Sequence, residues 1–342
     1  MRILCTCYTF CMQNLDFLSI GDTVVDDFIL LKDAKVHCDV DTEACTISMR
    51  WGDKIPFVSS TLVAGVGNSA NAAVSAARLG LNTALMATVG EDRDGEDIMK
   101  QFEKEGLSTA YITKAPGKLT NHHYVLSYES ERTILVKPEP YDYVFPMDLP
   151  PPKTIYLSSL GEAGDKYYAD MAQYLDEHPD IFFTFQPGTF QMNMGVEALA
   201  PIYRRADLLV VNKEEAERIL KLPAGQEIGS LLEATRALGP KTVIITDGRN
   251  GAYAFDGTKK LSVPMYPDDR EPFERTGAGD AFSSTVTAAL TLGLPLEEAL
   301  LWGPINSMSV VQDLGAQRGL LSREALEEFL KKAPDSYKIS TL

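Results

Sequence analysis

Short apolar segments that alternate with amphipathic segments limit most strongly how this 342-residue chain can fold. The apolar segments are short and continuous, as in strands that are buried on both faces of a sheet. Helical periodicity appears between them, for example at residues 69–79, where Gly80 follows as a stop signal. Strands that alternate with helices predict parallel strands joined by helical crossovers, and therefore an α/β fold. The predicted strands are 17–20, 83–89, 154–157, 181–185, 208–211 and 243–246.

Two stretches of the chain, about 22–60 and 120–137, have strand patterns without helices between them. Residues 46–51 alternate apolar and polar side chains, as a half-buried strand does. Residues 121–128 and 132–136 are separated by a tight polar turn, which indicates a hairpin. We expect the two stretches to pair into a small sheet that stands off the main sheet as a β-lid.

Length and composition are those of one large domain, which we expect to span residues 16–334. Apolar residues make up 45% and charged residues 23% of the chain, so it can bury a sizeable core. The longest apolar runs, about ten residues, are too short to span a membrane. A formal net charge of -16 argues against nucleic acid or an anionic membrane as a partner, since both attract Lys and Arg. An anionic ligand would need local neutralisation by backbone amides, a few basic side chains or a metal ion.

The cysteines are concentrated at one end of the chain. A disulfide framework of a secreted protein would be spread along the sequence, and the number here is odd. We therefore predict reduced cysteines and a cytoplasmic protein. We expect residues 1–15 to form a leader outside the fold and residues 335–342 to form a tail. The five cysteines are Cys5, Cys7, Cys11, Cys38 and Cys45.

The segment Gly277-Ala278-Gly279-Asp280 precedes a helix that is rich in small residues. Its glycines let the backbone approach a ligand closely, and free amide groups at a helix N-terminus favour an anion. This arrangement predicts a site for a transferring phosphoryl group. Asp280 would repel phosphate, so we interpret it as a general base that takes a proton from a substrate hydroxyl. The alternative is an ordinary helix start with Asp280 as a first-turn partner of the dipole.

This segment, followed by Ala281-Phe282, resembles the second signature of the ribokinase-like (PfkB) carbohydrate kinase family. Further segments resemble other elements of that family, in the family's order along nearly the whole chain. The resemblance implies a three-layer α/β sandwich, with a mostly parallel central sheet, helices on both faces and a small β-lid. It also implies phosphorylation of a hydroxymethyl group that depends on ATP and Mg²⁺. The further segments are 21–26, 65–73, 131–134, 212–215, 246–251 and 315–317.

Site roles follow from the resemblance, residue by residue. It implies catalysis by Asp280 and the 277–279 turn, substrate binding by Asp26, Gly67 and Asn71, nucleotide binding by Asn212, Thr246, Gly248 and Asn306, and Mg²⁺ binding by Glu215. The residues by themselves leave simpler interpretations open. Asp26 would also suit a solvated loop, Asn71 an exposed helix position, and Glu215 the acidic first turn of a helix.

The chain departs from the family pattern just before the glycine turn. The family commonly has an Asp there that helps to bind a monovalent cation, whereas this chain has Glu274-Arg275-Thr276. We expect Arg275 to replace that cation or to contact a phosphate, so we do not expect dependence on K⁺. A second departure, Gln186-Pro187-Gly188, stands where sugar kinases often have Asp or Asn, and it leaves the substrate open.

Three functions remain open from the sequence. The favoured one is a kinase for a small sugar of the ribose or fructose type, and the first alternative is a nucleoside kinase. A purine would need apolar or aromatic groups from the lid, such as Trp51, Phe57 or Tyr124. The second alternative is a non-catalytic binding protein on the same fold, because fold does not determine function. Pairing of two lids in a homodimer is also open.

Overall fold

A ten-stranded sheet forms the centre of the protein in the computed structural model, which describes residues 15–38, 45–128, 131–268, 270, 272–273 and 275–342. The described strands are β1 (Phe17–Ile20), β2 (Val24–Leu31), β3 (Lys35–Cys38), β4 (Cys45–Ser48), β5 (Phe57–Val66), β6 (Thr83–Gly90), β7 (Ile112–Ala115), β8 (His122–Tyr128), β9 (Glu131–Lys137), β10 (Thr154–Leu157), β11 (Phe182–Phe185), β12 (Leu208–Asn212), β13 (Thr242–Thr246), β14 (Ala252–Phe255), β15 (Lys260–Val263) and β16 (Ser340–Thr341). The described helices are α1 (Asn68–Arg78), α2 (Arg93–Lys104), α3 (Asp165–Glu177), α4 (Thr189–Met194), α5 (Ala200–Arg205), α6 (Lys213–Ile219), α7 (Ile228–Arg236), α8 (Ala278–Thr291), α9 (Leu296–Val310) and α10 (Arg323–Lys331).

The central sheet is mostly parallel, as the alternating pattern predicts. Its order is β16-β15-β14-β13-β12-β11-β10-β1-β6-β7, and the seven strands from β13 to β7 run parallel. All six predicted apolar strands are found there. The segment 335–342, expected to be a tail, instead contributes β16, which pairs with β15 at the edge of the sheet. Tyr337 just before it is buried, so this end of the chain is packed against the fold.

Helices cover both faces of the sheet because successive side chains of each buried strand point to opposite sides. Leu18 lies in one core, with Met171 of α3 and Ile202 of α5. Its neighbour Phe17 lies in the other core, with Phe282 of α8 and Ile305 of α9. The predicted three-layer arrangement is therefore confirmed.

The two helix-free stretches pair into a second sheet in the order β5-β2-β8-β9, which confirms the predicted lid. The strand predicted at 46–51 is shorter, because β4 ends at Ser48 and its pairing with β3 ends there. Trp51 beyond it is fully exposed. The tight turn predicted between the two strands includes Glu129 and Ser130, which lie outside the described residues.

One prediction about the cysteines is wrong. Cys38 and Cys45 are joined by a disulfide, because they are directly paired positions of the β3-β4 hairpin. The other three cysteines, and all but the last residue of the expected leader at 1–15, lie outside the described residues. No helix in the described ranges is both long enough and apolar enough to cross a membrane.

Candidate active site

Polar side chains gather at one edge of the central sheet, where the parallel strands reach their carboxyl ends. Asp22 follows β1, Gln186 follows β11, and Asn212 and Thr246 are the last residues of β12 and β13. Parallel strands bring these ends together at one edge, which is where ligands bind in open α/β sheets. The order of strands in the sheet thus collects residues that are far apart in sequence.

The glycine turn brings α8 to this edge. Gly277 has a φ of +80°, a left-handed conformation that favours glycine, and a Cβ there would lie 2.4 Å from Cβ of Ala316. Helix α8 starts at Ala278, and its first bond within the helix runs from the Ala281 amide to the Gly277 carbonyl. The amides of residues 278–280 precede that bond, so they are available to an anion.

Asp280 in the first turn of α8 is buried, with 8% of its surface exposed. Three side-chain amides donate hydrogen bonds to its carboxylate, from Asn71 at 2.8 Å, Asn68 at 2.9 Å and Gln186 at 3.3 Å. Burial raises the pKa of Asp280, and these three hydrogen bonds act in the opposite direction. The side chain is thus a buried carboxyl group held by neutral donors, a suitable environment for a proton acceptor.

A cavity of about 220 Å³ opens in front of Asp280. Six of its lining residues were expected at the site, and the structure brings them together from four elements. Asn68 and Gln186 also line it, although sequence analysis assigned neither of them to the site. The only signal for Gln186 was its departure from the family pattern at the end of β11. The lining residues are Asn68, Gln186, Val210, Val211, Asn212, Glu215, Thr246, Gly277, Gly279 and Asp280.

Glu215 and Asn212 form a reciprocal cap at the start of α6. Oδ1 of Asn212 accepts from the Glu215 amide at 2.7 Å, and Oε2 of Glu215 accepts from the Asn212 amide at 2.9 Å. Burial raises the pKa of Glu215, and the nearby carboxylates of Asp280 and Glu214 raise it further. The other carboxylate oxygen, Oε1, bonds to none of the described residues. An oxygen ligand beside a phosphate-sized cavity fits Mg²⁺, although no cluster of three or more metal-ligating side chains is found in the described ranges.

Asp26 lies on β2 in the lid, between Val63 of β5 and His123 of β8. Its Oδ1 is buried and has no hydrogen-bond partner, although Nδ1 of His123 is 3.4 Å away. His122 lies on the opposite face of β8, where its Nδ1 is 2.9 Å from Asp94. Because Asp26 lies within strand β2 and its Oδ1 is buried, the interpretation as a solvated loop residue is excluded.

Asp22, at the hinge between β1 and the lid, is a partly buried carboxyl group that sequence analysis did not single out. It accepts from the Tyr143 hydroxyl at 2.7 Å and from the Gly161 amide at 2.8 Å. Burial raises its pKa to about 6, while these bonds and His123 act to lower it. Gly67 has a φ of +115°, and a Cβ there would lie 3.0 Å from the Asp22 carbonyl oxygen. This close approach places the start of α1 next to the hinge.

A family comparison agrees with this geometry. A model of the pfkB family of carbohydrate kinases matches residues 58–323, which is more than half of the chain. The chain belongs to this family. It is a carbohydrate kinase, that is, a phosphotransferase with an alcohol group as acceptor.

Similar proteins agree with the family assignment. The ribokinase of Bacillus subtilis (strain 168) is 27% identical over 284 residues, which cover 82% of this chain and 92% of that protein. The structure of Arabidopsis thaliana ribokinase complexed with ribose and ATP has a TM-score of 0.78 and 19% identity, covering 93% of this chain and 99% of the other. The nucleoside kinase of Methanocaldococcus jannaschii, an archaeal member of the ribokinase family, has a TM-score of 0.74 and 19% identity, covering 93% and 99%.

Three residues expected to bind the nucleotide do not line the cavity of this carbohydrate kinase. Gly248 follows β13 in a short 3₁₀ turn with a φ of +49°. Arg275 is exposed and bonds to no other described residue. Asn306 is fully buried, donates to Thr285 at 2.7 Å and accepts from the Leu321 amide at 2.9 Å. Asn306 therefore joins α9 to its neighbours, and its expected place beside the nucleotide stays a prediction.

Asn71 is a buried residue of α1 that connects three parts of the site. Only 4% of its surface is exposed, so the interpretation as an exposed position on α1 is wrong. Its Nδ2 donates to Asp280, and its Oδ1 accepts from Nε2 of Gln317 at 3.0 Å. Gln317 in turn donates to the Gly65 carbonyl at 2.7 Å. Asn71 thus joins the start of α1, the start of α8 and the turn at 315–317 around Asp280.

Proposed function

We propose that this kinase transfers the γ-phosphoryl group of ATP to a hydroxymethyl group of a small sugar of the ribose or fructose type. The observation that supports this most is the position of Asp280. A buried carboxylate lies in the first turn of α8, next to free backbone amides and in front of a cavity. A proton acceptor and an anion-binding turn are then within reach of the same substrate atom.

The chain's own groups supply the chemistry of the transfer. Asp280 accepts the proton of the substrate hydroxyl, and the freed oxygen forms a bond to the γ-phosphorus as the bond from that phosphorus to ADP breaks. The amides of the 277–279 turn stabilise negative charge on the phosphoryl oxygens. Thr246 lines the same cavity and offers a hydroxyl to the phosphates. Gly248 after it would present its amide to them.

Substrate binding involves the lid and the start of α1. Oδ1 of Asp26 is buried without a donor, so a substrate hydroxyl would supply the missing hydrogen bond. Gly67 lets a sugar approach the backbone, and Asn71 orients Asp280 toward the sugar. Closure of the lid over the site would exclude water, so that ATP is not simply hydrolysed.

Mg²⁺ would be held near Glu215, through water or directly by the carboxylate oxygen that the helix cap leaves unused. Bound there, it would offset charge on the β- and γ-phosphates. Asn212 holds the Glu215 backbone through the cap and thereby orients the carboxylate. Glu214 on the same turn is absent from the cavity lining, which favours Glu215 for this role.

A small sugar is favoured over a nucleoside by the direction of the lid side chains. Asp26 and His123 share one face of the lid with Phe28, whose ring lies near Gly315 in the turn after α9. Tyr124 is paired with Asp27 and therefore lies on the opposite face. Trp51 and Phe57 are exposed. Of the aromatic groups suggested for stacking on a purine, Tyr124 thus points away from the Asp26 side, and the other two are open to solvent.

The test is ADP release with ATP, Mg²⁺ and a panel of acceptors that includes ribose, fructose, a keto-acid sugar and adenosine. We expect a sugar to stimulate release in the wild type and not in Asp280→Asn. Stimulation by adenosine alone would assign the nucleoside reaction. No stimulation by any acceptor, with tight binding of one of them, would contradict the kinase and support the binding protein.

We also propose that two copies pair through the outer face of the lid. Leu62, Tyr124 and Leu135 lie in one row across that face, with Asp27 between Leu62 and Tyr124, and each of the three is about half exposed. Burying such a row against a second copy would remove apolar surface from water. Sedimentation should give the mass of two chains for the wild type and of one chain for Leu135→Lys. The exposed Val144 outside the lid serves for a control, and Val144→Lys should remain paired.

A cytoplasmic location remains a proposal. Its consequence is that activity should not need the Cys38–Cys45 disulfide, which closes an exposed hairpin. Neither cysteine lines the site cavity. Equal turnover with and without a thiol reductant is expected, and loss of turnover on reduction would count against this location.

A further inference from the structure

Gln186 has its two amide ends in different surroundings. Its Nε2 donates to Oδ1 of Asp280 at 3.3 Å, and its Oε1 accepts from the hydroxyl of Tyr156. The Ser158 hydroxyl is a weaker second donor to Oε1 at 3.4 Å. An amide turned by 180° would present its oxygen to the carboxylate, so the hydrogen bond to Asp280 depends on which way Gln186 points.

Tyr156 is the hydrogen-bond partner at the other end of this amide. It is fully buried on β10, and its hydroxyl lies between Oε1 of Gln186 and Oγ of Ser283, which is 2.7 Å away. A tyrosine hydroxyl has one proton to donate. When it goes to Gln186, the donor end of Gln186 faces Asp280, and the other neighbour of the Tyr156 hydroxyl is Oγ of Ser283, which itself donates to the Gly279 carbonyl at 2.8 Å. The buried hydroxyl therefore has a defined partner on each side.

The groups around Asp280 explain why this orientation matters. Glu215 and Tyr156 are the titratable groups that interact with Asp280 across the cavity and from β10, and neither provides positive charge. No Lys or Arg among the described residues bonds to Asp280, whose described donors are the amides of Asn68, Asn71 and Gln186. Removing one neutral donor should favour the protonated form, which cannot accept a proton.

We propose that Gln186 and Tyr156 are positioning residues for the general base, with Tyr156 holding the Gln186 amide in the orientation that donates to Asp280. This inference rests on the proposed role of Asp280. It predicts that the two residues act as a unit, since the hydrogen bond that Tyr156 donates influences the Asp280 carboxylate through the Gln186 amide.

The experiment compares Gln186→Met, Tyr156→Phe and the double variant with the wild type. We would measure the Asp280 carboxyl titration by carbon-13 NMR and the pH profiles of kcat and KM for the acceptor. Gln186→Met should move the carboxyl titration to higher pH. It should also reduce kcat roughly tenfold on the acidic side of the profile, a loss that narrows as the pH rises, with little change in KM.

Tyr156→Phe should produce a smaller change of the same sign, and the double variant should match Gln186→Met. Tyr174→Phe is the control, because this buried tyrosine donates to the Leu149 carbonyl at 3.0 Å and does not touch the site. It should leave both the titration and the profile unchanged, even if it lowers stability.

Two results would overturn the inference: a Gln186→Met titration identical to the wild type, or effects of the two substitutions that simply add. The first, together with an inactive Asp280→Asn, would leave the kinase reaction intact and remove only the positioning role. If the wild type phosphorylates no acceptor, the proposed function fails, and the NMR titration still decides whether Gln186 and Tyr156 control the Asp280 carboxylate.

Discussion

Nδ2 of Asn71 lies 2.8 Å from Oδ2 of Asp280, which joins the first turns of two helices that are 209 residues apart in the chain. This bond places the proposed substrate side of the site, at the start of α1, in contact with the proposed proton acceptor at the start of α8. Because Asn71 also accepts from Gln317, its amide cannot turn around without losing both bonds. The carboxylate therefore receives a donor of fixed orientation.

Asp280→Asn should reduce turnover by about 10²- to 10⁴-fold, because the variant cannot accept the hydroxyl proton. Acceptor affinity should change little, since the side chain keeps its size and place. Steady-state kinetics with the best acceptor would measure this, with thermal unfolding to confirm that the variant folds. Near-normal turnover would remove Asp280 from the role of base.

Asn71→Asp should place a second carboxyl group against Asp280. Like charges in contact raise the pKa of the pair, so the acidic limb of the pH–kcat profile should move to higher pH. Turnover at neutral pH should fall by more than tenfold. Asn193→Asp is the control, because that residue accepts a bond from Arg218 outside the site. An unchanged profile for Asn71→Asp would mean that the two side chains are not coupled in solution.

Gly277→Ala and Gly279→Ala should have opposite effects on stability. Alanine at 277 combines a left-handed backbone with a Cβ that would lie 2.4 Å from Cβ of Ala316, so we expect a loss of about 1–3 kcal/mol or more. Position 279 has no atom within 4 Å of an added Cβ and lies inside α8, where alanine is favoured by up to about 1 kcal/mol. Urea unfolding of both variants would test this, and equal stability would contradict it.

Asp22 should make the protein less stable as the pH rises from about 4 to 6. Burial raises its folded-state pKa to about 6 from an ordinary value of 3.8, so the folded state binds the proton more tightly. The associated stability, about 3 kcal/mol, is present below pH 4 and is lost as the pH passes through 6.

Asp22→Asn should remove this pH dependence. The free energy of unfolding, measured at several pH values between 4 and 7 for both proteins, should differ in slope. An Asn side chain has one acceptor oxygen, so it cannot accept both the Tyr143 and the Gly161 bonds, and the substitution also changes the absolute stability. The prediction is therefore tested by the slope of stability against pH and not by its absolute value. Parallel curves would show that Asp22 does not titrate in this range.

Arg275→Ala should raise the KM for ATP severalfold with little effect on acceptor affinity. The side chain is exposed just before the glycine turn and bonds to no other described residue, so it is available to a phosphate. Arg50→Ala, at an exposed lid site paired with Asp53, is the control. An unchanged KM would argue against phosphate binding by Arg275, and strong stimulation of the wild type by K⁺ would argue against its replacing a cation.

Local patterns in the sequence predicted most of the fold. The apolar strands, the helix-free lid stretches and the glycine turn each depend on neighbouring residues, because burial on one or two faces imposes a period on the chain. Those predictions were wrong at the end of one strand and at the C-terminal segment. Strand β4 is shorter than its alternation suggested, and β16 forms where the composition suggested a tail.

By itself, then, the sequence determined an α/β sheet with a lid, and it predicted the glycine turn with Asp280 as the centre of the proposed chemistry. Only the tertiary structure decided what surrounds that carboxylate. It brought Asn68, Asn71 and Gln186 to Asp280 and buried Asn306 within the protein. The physical reason is that periodicity records which face of an element is buried, whereas a side-chain hydrogen bond depends on how elements that are distant in the chain pack together.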